Sequence, residues 1–191
     1  LDEDAAKASS NSREQWRELV AHDPQVMLEG FCLNASAYVL SLREGGLPVI
    51  QVHPAGLPSY RVQLPDAAYS LSVQDTLEFA SPRIRLRYEA LNRPAQVRQL
   101  ELASGAQQVL KETAVLGPFD ADAYVSQRLW ATAADGTQVP ISLVARRDVL
   151  ASSEQAATPA PLYLYGYGAY GACLDPWFSH ARLSLLERGF V

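Results

Sequence analysis

The residues with the clearest chemical potential are tyrosines, four of which lie within eight positions: Tyr163, Tyr165, Tyr167 and Tyr170. Tyr163 and Tyr165 alternate along an apolar run at 162–165, which predicts a buried strand in which both rings pack. Tyr167 and Tyr170 lie beyond that run, in a glycine-rich turn. Open α/β sheets bind ligands at the carboxyl ends of their strands. A phenol there is an uncharged hydrogen-bond donor near neutral pH, suited to an anion that forms in a transition state.

The turn at residues 166–171 also matches G-x-G-x-x-G, the pattern of a dinucleotide-binding turn. In that motif the last glycine packs inside the helix that receives the pyrophosphate. Here three residues separate Gly171 from Asp175, which is the predicted start of the helix, and Asp175 would place a negative charge where a phosphate must bind. Two variable positions are tyrosine, which is too bulky for close approach of the backbone. The sequence therefore argues against a nucleotide site.

Asp175, Ser179 and His180 are the residue types of a catalytic triad. Adjacent residues of a helix point about 100° apart, so Ser179 and His180 cannot meet as nucleophile and base. The chain contains no G-x-S-x-G nucleophile motif. The other histidines, His22 and His53, have no carboxylate or cysteine at metal-ligand spacing. We therefore expect no metal and no other cofactor.

The elements predicted around the tyrosines follow the order of an α/β domain. Residues 124–132 and 139–144 predict a hairpin joined by an Asp-Gly turn. A polar loop is predicted at 148–161, and the strand at 162–165 follows it. This order is the opening of an α/β domain, which we place at residues 118–191.

A helix is predicted after the glycine-rich turn. Asp175 supplies a side-chain acceptor at the N-cap and Pro176 takes the first helical position. Gly189 ends the helix in a left-handed conformation. The apolar face of this helix is formed by Phe178, Ala181 and Leu185. Residues 190–191 predict the start of another buried strand.

The chain before this region is a series of short apolar runs separated by turn residues, with no helical period. Strand-like runs occur at 16–20, 26–28, 38–40, 49–52, 84–88, 97–102 and 109–110. The strand pair at 37–42 and 47–53 is echoed by a pair at 83–88 and 96–102. An offset of roughly 45 residues for four short strands matches a β-propeller blade. A sandwich or a meander would give the same pattern, so both stay open here.

Composition excludes several classes of protein. The chain has 191 residues, of which 48% are hydrophobic and 19% charged, and this excludes a disordered tail. A net charge of −5 argues against nucleic acid as the main partner, since phosphate binding needs a basic face. Two distant cysteines, Cys32 and Cys173, predict reduced thiols and a cytoplasmic location. We expect no membrane partner. Because Leu1 is not an initiator Met and Val191 lies inside a predicted strand, we expect a fragment of a longer protein.

Two stretches together resemble the prolyl oligopeptidase family of serine peptidases. They are residues 161–171, which contain Tyr-Gly-Tyr-Gly, and residues 175–190. The second stretch is similar to the oligopeptidase B branch of that family. The resemblance is strong over 118–191 and looser over 14–117, where the family has its last propeller blades.

The resemblance implies a mixed fold. Residues 1–117 would be the last blades of a β-propeller, and residues 118–191 the opening strands and first helix of an α/β-hydrolase domain, ending before the nucleophile. Tyr167 would donate its hydroxyl to the oxyanion hole beside a backbone N–H next to the nucleophile. Tyr170 would line the substrate pocket, and the triad Ser, Asp and His would lie outside this chain.

The activity that the resemblance implies is hydrolysis of short peptides after Lys or Arg, by a cytoplasmic serine oligopeptidase. Its partners would be short peptide substrates, and its oligomeric state stays open. The alternative left by the residues alone is a propeller-derived binding module without chemistry.

Overall fold

The computed structural model describes residues 17–74, 77–155 and 159–191. Most of the first part consists of two antiparallel four-stranded sheets. The strands of the first sheet, in spatial order, are β1 (Val26–Asn34), β2 (Ala37–Glu44), β3 (Leu47–Pro54) and β4 (Tyr60–Arg61). The strands of the second sheet are β5 (Tyr69–Gln74), β6 (Arg83–Ala90), β7 (Arg93–Glu101) and β8 (Gln107–Glu112). Each strand pairs with its neighbour in sequence, so each sheet is a four-stranded antiparallel meander, the form that a propeller blade also has.

Alternation of residue type explains why these segments form strands with one buried face. In β6 the buried residues are Ile84, Leu86, Tyr88 and Ala90, and the arginines between them are exposed. Side chains of a strand point to opposite faces in turn, so this pattern buries one face and leaves the other in water. β3 shows the same period, with its buried residues at every second position.

The buried faces of the two sheets share one core. Its members from the first sheet and the chain that follows it are Ala37, Val39, Ile50, Val52 and Val62. Its members from the second sheet and the residue after β7 are Leu71, Ile84, Leu86, Tyr88, Leu100 and Leu102. The two sheets therefore pack face to face, as adjacent propeller blades and the layers of a sandwich both do.

The second part of the chain begins with a 3₁₀ turn, Ala121–Ala123, and a long hairpin. The hairpin strands are β9 (Tyr124–Thr132) and β10 (Gln138–Arg146), which pair in register along their whole length. Two helices follow, α1 (Arg147–Gln155) and α2 (His180–Leu186).

Helix α1 corrects the prediction of a polar loop at 148–161. The Ser152 hydroxyl donates to the Asp148 carbonyl at 2.7 Å, one helical turn back. Val149 and Leu150 are half-buried, and the Val149 side chain lies next to Gly189. Tertiary packing of these two apolar residues therefore favours a helix that the Ser- and Ala-rich composition hides.

Helix α2 starts later than predicted. Its N-cap residue is Ser179 rather than Asp175, and no side-chain hydrogen bond caps it. Asp175 instead accepts hydrogen bonds from Arg43, so its carboxylate is not available to cap a helix. Of the predicted apolar face, Phe178 is buried but lies before the helix, and Ala181 is exposed. The chain leaves the helix through Gly189, whose φ of 83° confirms the predicted left-handed end.

The segment at 162–165 is extended but not buried, contrary to prediction. Leu164 is 79% exposed, and Tyr165 is 59% exposed although its ring meets the Trp177 ring edge to face. The backbone has one strand-like partner: Tyr163 N–H donates to the Val191 carbonyl and Val191 N–H donates to the Pro161 carbonyl, both at 2.9 Å. Two bonds from one residue to positions on either side of its partner are the pattern of a parallel pair. These two short extended segments lie on either side of α2 in the chain. The α/β-hydrolase assignment of this region stays a prediction.

Two further predictions differ from the structure. Leu19 and Val20 lie in a bend rather than a strand, and Trp16 and residues 2–15 lie outside the described residues. Strands β4 and β5 were not predicted at all, because β4 has two residues and β5 alternates serine with single apolar residues.

Candidate active site at the tyrosine turn

The turn at residues 166–171, called here the tyrosine turn, has an unusual backbone. Tyr170 has a φ of 59°, and it is the one non-glycine residue with positive φ in the described part of the chain. This conformation is strained for a residue with a β-carbon, and such strain concentrates at functional sites. Gly171 follows with a φ of 70°, and Ala172 N–H donates to the Ala169 carbonyl at 3.1 Å. The turn is therefore tight at its second half.

The two candidate tyrosines have different surroundings. Tyr167 is 53% exposed and lies along a groove formed by β10, residues 162–167, residues 172–177 and α2. Within the described residues, the Tyr167 hydroxyl has no hydrogen-bond partner, so it is available to a ligand. Tyr170 is completely exposed and does not line the groove. The structure thus brings Tyr167, but not Tyr170, to the groove.

The groove has a mainly apolar lining. Its larger apolar side chains are Val139, Leu143, Leu162, Leu164, Trp177 and Phe190. The Trp177 ring meets the Tyr165 ring edge to face at 6.3 Å, and the Arg182 guanidinium lies 4.9 Å from the Trp177 ring centre. The aromatic side chains of this region therefore pack around one wall of the groove.

Arg128 brings a positive charge to the end of the groove near the first sheet. Its guanidinium donates to the Gly45 carbonyl at 2.6 Å and to the Ser142 hydroxyl at 2.7 Å. Its Nε is buried and has no partner among the described residues. Burial lowers the pKa of Arg128, and the nearby Asp175 carboxylate opposes that effect. Arg128 is thus a cation held mostly by neutral groups.

Asp175, Ser179 and His180 do not form a triad, in agreement with the sequence argument. The Asp175 carboxylate is bound by Arg43. The His180 ring packs edge-on against Phe178 at 5.1 Å, and no hydrogen bond joins the three residues in the described structure.

Sequence reasoning missed two charged residues that contact this site from the two sheets, and a third that binds one of them. Arg43 in β2 and Glu89 in β6 contact the site, and Glu29 in β1 binds Arg43. Arg43 and Glu89 contact residues 175 and 178, which follow the tyrosine turn. No sequence signal reveals them, since Arg43 and Asp175 are separated by 132 positions.

The described residues contain neither a membrane-spanning helix nor a metal-binding cluster. No helix there is long and apolar enough to cross a membrane. No group of three or more His, Cys, Asp or Glu side chains within residues 17–74, 77–155 and 159–191 is placed to hold a metal ion.

Comparison with known proteins identifies the sheets. Residues 5–113 match the model of a family described as prolyl oligopeptidase, N-terminal beta-propeller domain. The chain belongs to the prolyl oligopeptidase family. The two sheets are therefore propeller blades, as predicted, while the boundary near residue 117 stays a prediction.

Relatives in this family are peptidases. Dipeptidyl aminopeptidase BI of Pseudoxanthomonas mexicana is 36% identical over 187 residues, which are 97% of this chain and 25% of the relative. Protease 2 of Moraxella lacunata is 35% identical over 150 residues, 78% of this chain and 21% of the relative. The chain thus spans about a quarter of the length of these relatives, in agreement with the expectation of a fragment.

Solved structures give the same family. Oligopeptidase B of Trypanosoma brucei, in a closed form with covalently bound antipain, superposes with a TM-score of 0.78 at 31% identity. Oligopeptidase B of Leishmania major superposes with a TM-score of 0.77 at 29% identity. Each match covers 90% of this chain and 25% of the solved chain.

Proposed function

We propose that this chain is part of a serine-type oligopeptidase that hydrolyses short peptides, and that Tyr167 is one donor of its oxyanion hole. The observation that carries the proposal is the Tyr167 hydroxyl, which lies at the groove without a partner among the described residues. Such a donor accelerates the reaction only when its position is fixed beforehand and when its hydrogen bond to the oxyanion is stronger than its hydrogen bond to the ground-state carbonyl.

The chemistry follows from acyl transfer. A serine hydroxyl, supplied from outside this chain, attacks the peptide carbonyl carbon while a histidine, also from outside this chain, takes its proton, and the carbonyl oxygen takes the negative charge of the tetrahedral intermediate. The Tyr167 O–H and a backbone N–H beside the nucleophile donate to that oxygen. The histidine then passes the proton to the amine as the C–N bond breaks, which leaves an acyl-enzyme that water hydrolyses.

Tyr170 is proposed to contact the substrate. Its ring is completely exposed and does not line the groove, and its backbone is in the left-handed conformation. A strained tyrosine without packing contacts gains nothing in stability, which supports a role toward a ligand.

The proposed specificity is cleavage after Lys or Arg, in a cytoplasmic enzyme without a cofactor. The solved relatives named oligopeptidase B support this choice, while another relative is named a dipeptidyl aminopeptidase. Cleavage inside a peptide and removal of an N-terminal dipeptide therefore both need testing. The two free cysteines, Cys32 and Cys173, fit a reducing compartment.

The test uses the full-length protein from which this chain comes. Fluorogenic amides with a blocked amino terminus and Arg, Lys, Pro or Ala before the scissile bond are compared with free dipeptidyl amides. We expect the highest kcat/KM for blocked Arg and Lys substrates, and complete loss of turnover after treatment with a serine-directed phosphonate. Turnover that resists the phosphonate would contradict the serine mechanism, and preference for free dipeptidyl amides would contradict the proposed specificity.

A further inference from the structure

The segment that follows the tyrosine turn is held by both propeller sheets. We call residues 172–179, between the turn and α2, the anchoring segment. Arg43 of the first sheet binds the Asp175 side chain, and Glu89 of the second sheet binds the Phe178 backbone. Two points three residues apart are therefore fixed by strands that belong to different blades.

The contact of Arg43 with Asp175 has the geometry of a strong ion pair. Arg43 Nη1 lies 2.6 Å from Asp175 Oδ1 and Nη2 lies 3.3 Å from Oδ2, so both carboxylate oxygens are engaged. The Arg43 side chain is only 14% exposed, which reduces screening by water and salt. Two-pronged contacts of this kind fix orientation as well as distance.

Arg43 is itself held by its own sheet. Its Nε lies 2.5 Å from Glu29 Oε1, and its Nη1 also donates to the Gly46 carbonyl at 3.2 Å. The hydrogen bond to Asp175, followed by the contact with Glu29, raises the pKa of Arg43 despite burial, so the guanidinium stays charged. A side chain anchored on two sides in this way is a rigid support for Asp175.

The second contact fixes the backbone. Glu89 Oε2 accepts a hydrogen bond from Phe178 N–H at 3.1 Å, and the Glu89 side chain is 13% exposed. Phe178 is 9% exposed and its ring packs edge-on against Phe119 at 5.4 Å. The anchoring segment therefore reaches α2 along a defined path.

The tyrosine turn needs such an external support. It contains three glycines in six residues, and glycine gives the backbone more conformational freedom than any other residue. It also contains Tyr170 in a strained conformation, which persists only where the surroundings impose it. The turn cannot supply that rigidity by itself.

We propose that Arg43 is a positioning residue of the peptidase: by binding Asp175, it fixes the tyrosine turn so that the Tyr167 hydroxyl keeps its place at the groove. This inference rests on the proposed function of Tyr167. It makes the propeller blade part of the catalytic geometry, because a blade strand fixes the turn that carries the oxyanion donor.

The test compares two ion pairs of the propeller sheets in the full-length enzyme. Asp175→Asn removes the carboxylate that Arg43 binds. The control, Glu101→Gln, removes the carboxylate that Arg83 binds at 2.7 Å within the second sheet, and neither of those residues lines the groove. We expect Asp175→Asn to lower kcat roughly 10- to 100-fold with little change in KM, as for a misplaced catalytic group. Glu101→Gln should leave kcat close to the wild-type value. Equal losses in both variants would overturn the proposal.

A double-mutant cycle separates positioning from general damage to the fold. If Asp175 acts through Tyr167, Asp175→Asn should cause no further loss of kcat in a Tyr167→Phe enzyme. An equal loss in both backgrounds would show that Asp175 acts elsewhere and would overturn the inference.

Amide hydrogen exchange supplies a measurement that does not depend on activity. Asp175→Asn should increase exchange in residues 166–174 relative to wild type and Glu101→Gln, while β6 and β7 stay protected. Unchanged exchange in 166–174 would overturn the support role. Absence of peptidase activity in the wild-type enzyme would instead contradict the proposed function, and the exchange result would still decide whether Asp175 fixes the turn.

Discussion

The Tyr167 hydroxyl is a single group whose removal leaves the ring in place. In the full-length enzyme, Tyr167→Phe should lower kcat and kcat/KM together by about 10²–10³-fold, equivalent to about 3–4 kcal/mol, because one oxyanion donor is lost. KM should change little, since the interaction is made mainly in the transition state. Steady-state kinetics on a blocked Arg substrate measure the effect.

Tyr165→Phe is the matched control for this substitution. Tyr165 is exposed to a similar degree and packs against Trp177, so loss of its hydroxyl should leave kcat unchanged. A large loss in Tyr165→Phe with normal activity in Tyr167→Phe would move the donor one glycine step back. If neither variant loses activity, the oxyanion hole uses backbone donors alone.

Tyr124 gives a prediction about pH. It is 5% exposed and its hydroxyl donates to Glu187 Oε1 at 2.5 Å. Burial, followed by the contact with Glu187, raises the pKa of Tyr124 from 10.0 to about 12. The pKa of Tyr124 is higher in the folded state than in the unfolded state. The contribution of its hydroxyl to folding stability is therefore fully present below pH 10 and is lost as the pH rises toward 12.

Tyr124→Phe should therefore lower the free energy of unfolding by about 1 kcal/mol near neutral pH, the usual value of one hydrogen bond. Between pH 10 and 11 the difference from wild type should shrink, and urea unfolding at a series of pH values measures it. The control is Tyr163→Phe. The Tyr163 ring is half exposed, so this substitution should leave the dependence of the free energy of unfolding on pH unchanged. A constant difference across this pH range would contradict the assigned contact.

At the scale of elements, the turn between β2 and β3 joins the first sheet to the hairpin of β9 and β10. Gly46 has a φ of 78°, and a β-carbon there would lie 2.8 Å from Arg128 Nη2 and 3.2 Å from Pro140 Cγ. Gly46→Ala should thus lower the free energy of unfolding by about 1–2 kcal/mol, because alanine is strained in the left-handed conformation, and the clash with Arg128 and Pro140 should lower it further. Thermal unfolding of the variant measures the total loss.

Gly56→Ala isolates the backbone part of that loss. Gly56 has a φ of 72° in a similar turn, and a β-carbon there meets nothing within 4 Å. The difference between the two variants therefore measures the contact between the sheet and the hairpin. Equal losses would mean that Arg128 and Pro140 move aside at no measurable free-energy cost.

Elements with regular alternation were predictable because one face of each strand meets the core. The arginines of β6 alternate with Ile84, Leu86 and Tyr88, and that pattern alone predicted the strand. Helix α1 was not predictable, because its stability depends on packing of Val149 and Leu150 rather than on composition. The start of α2 was misplaced because a distant arginine takes the carboxylate that would cap it.

The candidate site was predictable only in part, for the same reason. Tyr167 and Tyr170 stood out by residue type and by their place in a glycine-rich turn. Their different exposure toward the groove depends on the local backbone of Tyr170, which sequence does not display. The contact of Arg43 with Asp175 was not predictable, since nothing in the sequence before the tyrosines indicates which strand contacts this region.

At the scale of the whole molecule, the 191-residue chain should have no peptidase activity by itself. It contains the proposed oxyanion donor, Tyr167, but no G-x-S-x-G nucleophile motif, so the donor would have no intermediate to stabilise. The blocked Arg and Lys substrates should show no turnover with the purified chain. Measurable turnover that a serine-directed phosphonate abolishes would contradict the assigned roles.

The isolated chain should also bind a dye specific for apolar surface. Its groove exposes Leu162, Leu164 and Tyr165, and large exposed apolar patches bind such probes or promote aggregation. Fluorescence of anilinonaphthalene sulfonate measures the effect, and the full-length protein is the control. Equal, low fluorescence from both proteins would mean that the groove is closed in the isolated chain.

The contact between Arg43 and Asp175 also imposes an order on biosynthesis. Every strand of the two sheets pairs with its neighbour in sequence, so hairpins can close one after another as the polypeptide leaves the ribosome. Glu29 lies 14 positions from Arg43 and can bind it as soon as β2 emerges, whereas Asp175 follows 132 positions later. During translation Glu29 can therefore bind the arginine first, so that Asp175 meets a guanidinium that already has one carboxylate partner.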